Sequence, residues 1–183
     1  MIKEGVNSYE EPSFSLKNRL ARLVWGGVNI LFFRYSPRPF HSYRALILKM
    51  FGAKLGNNCH VYGSAKIWAP WNLILHDEAC IANDTIIYNM APITFGKKSI
   101  VSQGSHLCNG SHDYTDKNFQ LFAKPITIGA RAWLCTDCFV GPGVNIGNGT
   151  VVGARSVVVS DLEEWMVYAG TPAKAIKKRI IKN

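Results

Sequence analysis

A bulky aliphatic residue recurs at every sixth position along most of this chain. The beat runs Leu55, Val61, Ile67; Leu75, Ile81, Ile87; Phe95, Val101, Leu107. After one interruption it resumes at Ile128, Leu134, Val140, Ile146, Val152 and Val158. A fixed short period means one small unit stacked on copies of itself, and few architectures have a period of six. A helix would place apolar residues three and four apart, and a flat sheet would alternate strictly. Four residues after each bulky residue stands a small one, including Cys59, Ala65, Ala79, Thr85, Ser99, Ser105, Ala132, Cys138, Thr150 and Ser156, with Trp71 the exception. One large and one small inward residue per six suit a short strand and a tight corner. Three such units close one turn of a parallel β-helix.

The register predicts where the turns fall. The steps from Ile67 to Leu75 and from Ile87 to Phe95 are each two residues too long, so the slips come every third hexad. The expected fold is therefore mainly β, a parallel β-helix of about five triangular coils. It spans 55–163, between an N-terminal helical segment at 1–54 and a basic tail at 164–183. Trp71, in the first coil, is expected to plug the open end of the prism. Before Leu55, Ser15 can cap a helix through Leu16, Leu20, Leu23 and Val24. Pro37 and Pro39 break it, and a second helix from about Ser42 to Phe51 ends at Gly52. The apolar run from Leu23 to Phe33 is about half the ~20 residues needed to span a bilayer. It suits packing on the β-helix end or on a partner subunit. The alternative is peripheral contact with a membrane surface through residues 15–40, with Arg19, Arg22 and Arg34 toward the headgroups.

Charge narrows the partners. The net +9 gathers at the two ends of the chain, while the repeat region is slightly acidic. That distribution is poor for wrapping nucleic acid along a groove and better for gripping a compact polyanion or a membrane surface. The tail supplies Lys174, Lys177, Lys178, Arg179 and Lys182. Five cysteines without a secretory signal suggest reduced thiols and a cytoplasmic location, at most at the inner face of the membrane. Cys135 and Cys138 have CxxC spacing, but the hexad points only Cys138 inward, against a redox or zinc role.

The beat breaks once, at 109–127. A solenoid gains no packing from extruding such a loop, so the insertion is a candidate for function. It holds His112, whose side-chain type suits proton abstraction near neutral pH. Two residues after the bulky positions of the second strand in each turn come Gly63, Asn83, Gln103, Thr136 and Ala154. These should stack in one outward column at ~4.8 Å steps. The loop leaves the third turn, level with the column's middle, so a long thin ligand could lie there with its reactive end near His112.

Several segments carry a family resemblance: Ala82-Asn83, Ala91-Pro92-Ile93, the His112 loop, Pro125 to Gly129, Ala132-Trp133-Leu134 and Gly170 to Lys174. Over roughly 42–180 the chain resembles the hexapeptide-repeat acyltransferases with left-handed parallel β-helices. Within them it is similar to the galactoside, maltose and nodulation-factor O-acetyltransferases, most closely the colanic-acid biosynthesis type. The resemblance implies a homotrimer with active sites between subunits and acetyl-CoA as cosubstrate, without a metal. It implies that His112 is the general base and Asn83 an acceptor-sugar contact. Gln103 in the column, and Asp113 and Tyr114 beside His112 in the loop, are further substrate-side candidates. The resemblance also implies coenzyme contacts at Trp133, Thr136, Gly153, Ala154, Lys174 and Lys177. The sugar acetyltransferases usually follow the histidine with proline, and Asp113 stands there instead. The expected reaction is transfer of acetyl to a sugar hydroxyl in exopolysaccharide or surface-glycan synthesis, on a free or a lipid-linked acceptor.

Three alternatives remain open on sequence alone. Cys108 could carry the acetyl group covalently. His76, His106 and His112 could bind zinc between subunits, as in the γ-class carbonic anhydrases. The trimer could also be a non-catalytic scaffold.

Overall fold

Strands of two or three residues are stable only when paired, and here all but Gly110–His112 and Leu121–Ala123 join a parallel ladder. The structure, a computed structural model, describes residues 2–181; Lys182 of the basic tail lies outside them. The first face of the prism stacks Lys54–Leu55, Leu73–Leu75, Ile93–Phe95, Ile126–Ile128 and Asn145–Ile146. The second stacks His60–Val61, Cys80–Ile81, Ile100–Val101, Trp133–Leu134, Val151–Val152 and Met166–Ala169. The third stacks Lys66–Ile67, Ile86–Tyr88, His106–Cys108, Phe139–Val140 and Val157–Val158.

The bulky residues of the beat face each other down each ladder. Leu55 pairs with Leu75, Leu75 with Phe95, Phe95 with Ile128 and Ile128 with Ile146. The stack also goes beyond its fifth coil. Leu162 bridges Ile146, and Met166–Ala169 adds a parallel strand to the second face. The tail then reverses, and Lys174–Lys178 pairs antiparallel with that strand. Glycines directly after the bulky residues allow coils to approach: a Cβ on Gly129 would lie 2.6 Å from backbone atoms of Gly147 and Asn148.

The two-residue slips sit at the corners between the third and first faces. The first holds the 3-10 turn Pro70–Asn72. Buried Asn89 bonds Ala69 in both directions, accepting from its N–H at 2.9 Å and donating to its carbonyl at 2.7 Å. Buried Asn109 does the same one coil later with Ala91, at 3.3 and 2.6 Å. These amides replace the backbone bonds that the looser corner cannot form. The loop at 109–127 leaves from this kind of corner, where spacing was already relaxed.

Helix α1 (Leu16–Val28) is capped by Ser15, whose Oγ accepts from the Asn18 N–H at 3.3 Å. It continues as a π-helical turn, Asn29–Phe33, and α2 spans His41–Met50. These elements close the first coil's open end, a task assigned above to Trp71. Trp71 is only half-buried, held in the 3-10 corner with its Cβ 3.2 Å from where a Gly52 Cβ would stand. The slip moves it out of the inward register. Trp25, Phe33 and Leu48 are the buried plug, and Trp25 Nε1 donates to the Ile67 carbonyl at 2.6 Å. Burial of such side chains stabilises by roughly 1.5–3 kcal/mol each, enough to fix the helices on the prism.

Candidate active site

The interrupted coil forms an antiparallel hairpin of Gly110–His112 and Leu121–Ala123. Its neck is closed by the Lys124 N–H donating to the carbonyl of the buried Asn109 at 2.9 Å. His112 ends the first strand, half-buried. Its Nδ1 lies 2.7 Å from the Phe119 carbonyl, and its ring stacks on that of Phe119 at 4.3 Å and 11°. A carbonyl only accepts, so Nδ1 carries the hydrogen and Nε2 keeps its lone pair. An imidazole oriented in this way is arranged to take a proton at Nε2.

The column is present, but the hairpin leaves from a different edge of the prism. Asn83, Gln103, Thr136 and Ala154 lie at the corner between the second and third faces. Coil-to-coil bonds join that corner: Gly104 N–H to Asn83 O at 3.2 Å, Asp137 N–H to Gln103 O at 3.0 Å, and Arg155 N–H to Thr136 O at 2.9 Å. The hairpin leaves one corner further on, after His106–Cys108 has crossed the third face. A three-residue strand spans ~10 Å, so within one chain His112 and the column stand on separate edges.

The individual candidates differ in how they are held. Asn83 is exposed, and its Oδ1 accepts from Ser64 Oγ at 3.1 Å. Gln103 is exposed, and its carbonyl accepts from Thr136 Oγ1 at 2.9 Å. Asp113 Oδ1 accepts from both the backbone and the hydroxyl of Thr115, which holds the carboxyl below its usual range. That oxygen therefore shapes the hairpin turn. Tyr114 is 86% exposed. Gly153 leaves room for the sixth coil: a Cβ there would meet that of Ala169 at 2.9 Å. Ala154, Lys174 and Lys177 are exposed at the same end of the prism.

Trp133 stands out from the second face, with Nε1 donating to Ser102 Oγ at 3.0 Å. It lines a groove of about 400 Å³ with Lys98, Ile100, Arg131 and Arg179. Arg179 is fixed there by bonds to the Arg131 and Gly149 carbonyls, both 2.8 Å. Three cations around an indole make a site for an anionic, partly flat ligand. Lys98 and Arg131 were not among the sequence candidates. Their signal was available, since both are the residue before a small inward position at the same corner, one coil apart.

The residues of two alternatives are placed as follows. Burial raises the Cys108 thiol, which donates to the Gly110 carbonyl at 3.3 Å, so it is not poised as a thiolate. His76 is exposed after the first face, His106 packs edge-on to Phe139 on the third, and His112 sits on the hairpin. Among the described residues no three His, Cys, Asp or Glu side chains gather within one chain as metal ligands would.

No protein-family model matches the chain. It is 44% identical over 163 residues to the putative colanic acid biosynthesis acetyltransferase WcaF of Escherichia coli K12, covering 89% of this chain and 90% of that one. Its fold is similar to that of a maltose O-acetyltransferase from Clostridium difficile 630, with a TM-score of 0.83, 22% identity and 91% and 90% of the two chains covered. It is also similar to a hexapeptide-repeat-containing acetyltransferase of Vibrio cholerae O1 biovar eltor, solved with acetyl coenzyme A, with a TM-score of 0.81, 21% identity and 96% of each chain covered. With the hexad ladders and this coverage, the chain belongs to the hexapeptide-repeat acetyltransferases, enzymes built on a left-handed parallel β-helix.

Proposed function

We propose that this protein is an acetyl-CoA-dependent O-acetyltransferase that modifies a sugar hydroxyl during synthesis of a surface polysaccharide. The observation that carries the mechanism is the 2.7 Å contact of His112 Nδ1 with the Phe119 carbonyl, which leaves Nε2 free as a base. The acceptor hydroxyl loses its proton to Nε2 as its oxygen attacks the thioester carbonyl carbon. The tetrahedral intermediate then expels the coenzyme thiolate, which takes the proton back from His112. Asn83, Gln103, Asp113 and Tyr114 are assigned to the sugar side. Trp133, Thr136, Gly153, Ala154, Lys174 and Lys177 are assigned to the coenzyme, with Lys98, Arg131 and Arg179 added for its phosphates.

The separation of hairpin and column favours a homotrimer in which the hairpin of one subunit meets the column of the next. Residues 15–40 are assigned to the cytoplasmic face of a membrane, which suits a lipid-linked acceptor. No helix among the described residues is long and apolar enough to cross a membrane.

The test is an acetyl-CoA assay against free maltose, a galactoside and polyprenyl-linked sugars. His112→Ala should lower kcat by about 10²–10⁴-fold with the KM for acetyl-CoA unchanged. Co-expression of His112→Ala chains with Trp133→Ala chains should restore part of the activity, because some mixed sites hold both native residues. Full kcat in His112→Ala removes the base, and absence of rescue argues for sites within single chains.

A further inference from the structure

Residues 2–14 carry no hexad and belong to no coil, yet they pack against the hairpin that holds His112. Phe14 anchors their base, with its ring 5.1 Å from Trp68 on the first coil. Ile2 bridges Phe14, and the Lys3 N–H donates to the Ser13 carbonyl at 2.9 Å, so the segment doubles back on itself. Its outer bend lies on the hairpin turn, two coils away.

There the contacts fall on three consecutive residues. The Ser8 N–H donates to the Asn118 carbonyl at 3.0 Å. Gln120 is bridged in both directions: its Oε1 accepts from the Val6 N–H at 3.2 Å, and its Nε2 donates to the Lys3 carbonyl at 3.1 Å. Between them, the Phe119 ring stacks on Tyr9 at 5.3 Å and 24°. Phe119 has a φ of +49°, a left-handed conformation that residues with a Cβ avoid. A turn held there needs outside support, and the N-terminal arm supplies it on both sides of Phe119.

Phe119 is also the residue that holds His112, by its carbonyl and by its ring. Three rings thus lie in series, Tyr9 on Phe119 and Phe119 on His112. If the turn relaxed, the carbonyl would swing away from Nδ1, and the imidazole could carry its hydrogen on either nitrogen. In the Nε2–H form Nε2 has no lone pair left to take the acceptor's proton.

We propose that residues 3–9 act as a clamp that fixes the tautomer and plane of the base through Phe119, with Tyr9 and Gln120 as positioning residues. The inference rests on the assignment of His112 as general base. It predicts a function for a segment that packing alone does not require, since the prism is already closed by the helices.

The test uses the full-length protein, with Tyr9→Ala, Gln120→Ala, Tyr9→Phe and His112→Ala compared with the native chain. Ring-nitrogen NMR of His112 at a pH where it is neutral reads the tautomer without any acceptor. The native ring should be in the Nδ1–H form. Tyr9→Ala and Gln120→Ala should give a mixture, and Tyr9→Phe should match the native protein. In the acetyl-CoA assay, with the acceptor that serves the native enzyme best, both alanine variants should lose about tenfold or more in kcat. Their KM for acetyl-CoA should be unchanged. Native tautomer and native kcat in both alanine variants would overturn the clamp. Full activity in His112→Ala would instead overturn the base, while the NMR result would still decide whether the arm orients the ring.

Discussion

Arg44 is fully buried and meets no carboxylate among the described residues. Its Nε donates to the Val61 carbonyl at 2.6 Å, and its terminal nitrogens reach Ser36 Oγ and the Pro37 and Arg38 carbonyls at 2.6–2.9 Å. A planar fork of five donors can satisfy several carbonyls at once, which a lysine cannot. Asn89 and Asn109 do comparable work inside the prism. Asn109→Ala would leave both polar groups of Ala91 unpaired and should cost about 2–4 kcal/mol in urea unfolding at fixed protein concentration. Asn145→Ala, at an exposed position, should cost less than about 0.5 kcal/mol. Equal losses would mean that the buried amide bridge contributes nothing special. Asn89 and Asn109 could have been found from sequence, because they stand twenty residues apart in the same phase of the slip. Arg44 could not, because a lone arginine on a helix reads as surface until its partners are located.

The helices illustrate which part of an element a pattern can reveal. Their caps and breaks were legible: Ser15, the prolines and Gly52 each act through local backbone chemistry. Their role as a plug was not, because Trp25, Phe33 and Leu48 become inward only against the first coil. Arg22, which the alternative membrane reading turns toward headgroups, lies over Trp68 at 4.4 Å. The outward face remains apolar, with Leu16, Leu23, Leu31, Tyr35, Leu46 and Met50 all more than half exposed. No acidic residue occurs between Glu11 and Asp77, while Lys17, Arg19, Arg34, Arg38 and Lys49 are exposed. An apolar face with positive charge alone beside it matches an anionic bilayer. The protein should sediment with phosphatidylglycerol vesicles and not with phosphatidylcholine vesicles. Leu23→Glu and Leu31→Glu should each weaken that binding by about tenfold or more. No sedimentation with either vesicle would leave this face to a neighbouring subunit.

Taken as one body, the protein has a stability that should depend on pH through its histidines. His41 is held below the ordinary imidazole value of 6.5 by burial first and by the Arg44 charge among other causes; burial alone does the same to His106. The unfolded chain therefore binds these protons first as the pH falls. Stability should be fully present above about pH 6.5 and should decline below it. Calorimetry from pH 8 to 5 would read this as a falling Tm, and His106→Gln should flatten the slope. A Tm independent of pH across that range would contradict the burial of both rings. The prism, its register and its single interruption were legible because the same six-residue constraint recurs in every coil. The separation of His112 from the column was not, because it depends on counting faces after the third turn.

A stack of parallel strands has no inherent end. Each new coil presents the same unpaired edge as the last, and any extended segment could continue it, including one from another molecule. This chain terminates the stack by reversing direction at Lys174–Lys178, so that the final edge runs opposite to the ladder. That strand is exposed along its whole length and carries Lys174, Lys177 and Lys178. Lysines on an edge repel a second identical edge and discourage polymerisation. The charge assigned above to gripping coenzyme phosphate thus has a second consequence: it keeps the β-helix a discrete particle and not the seed of a fibre.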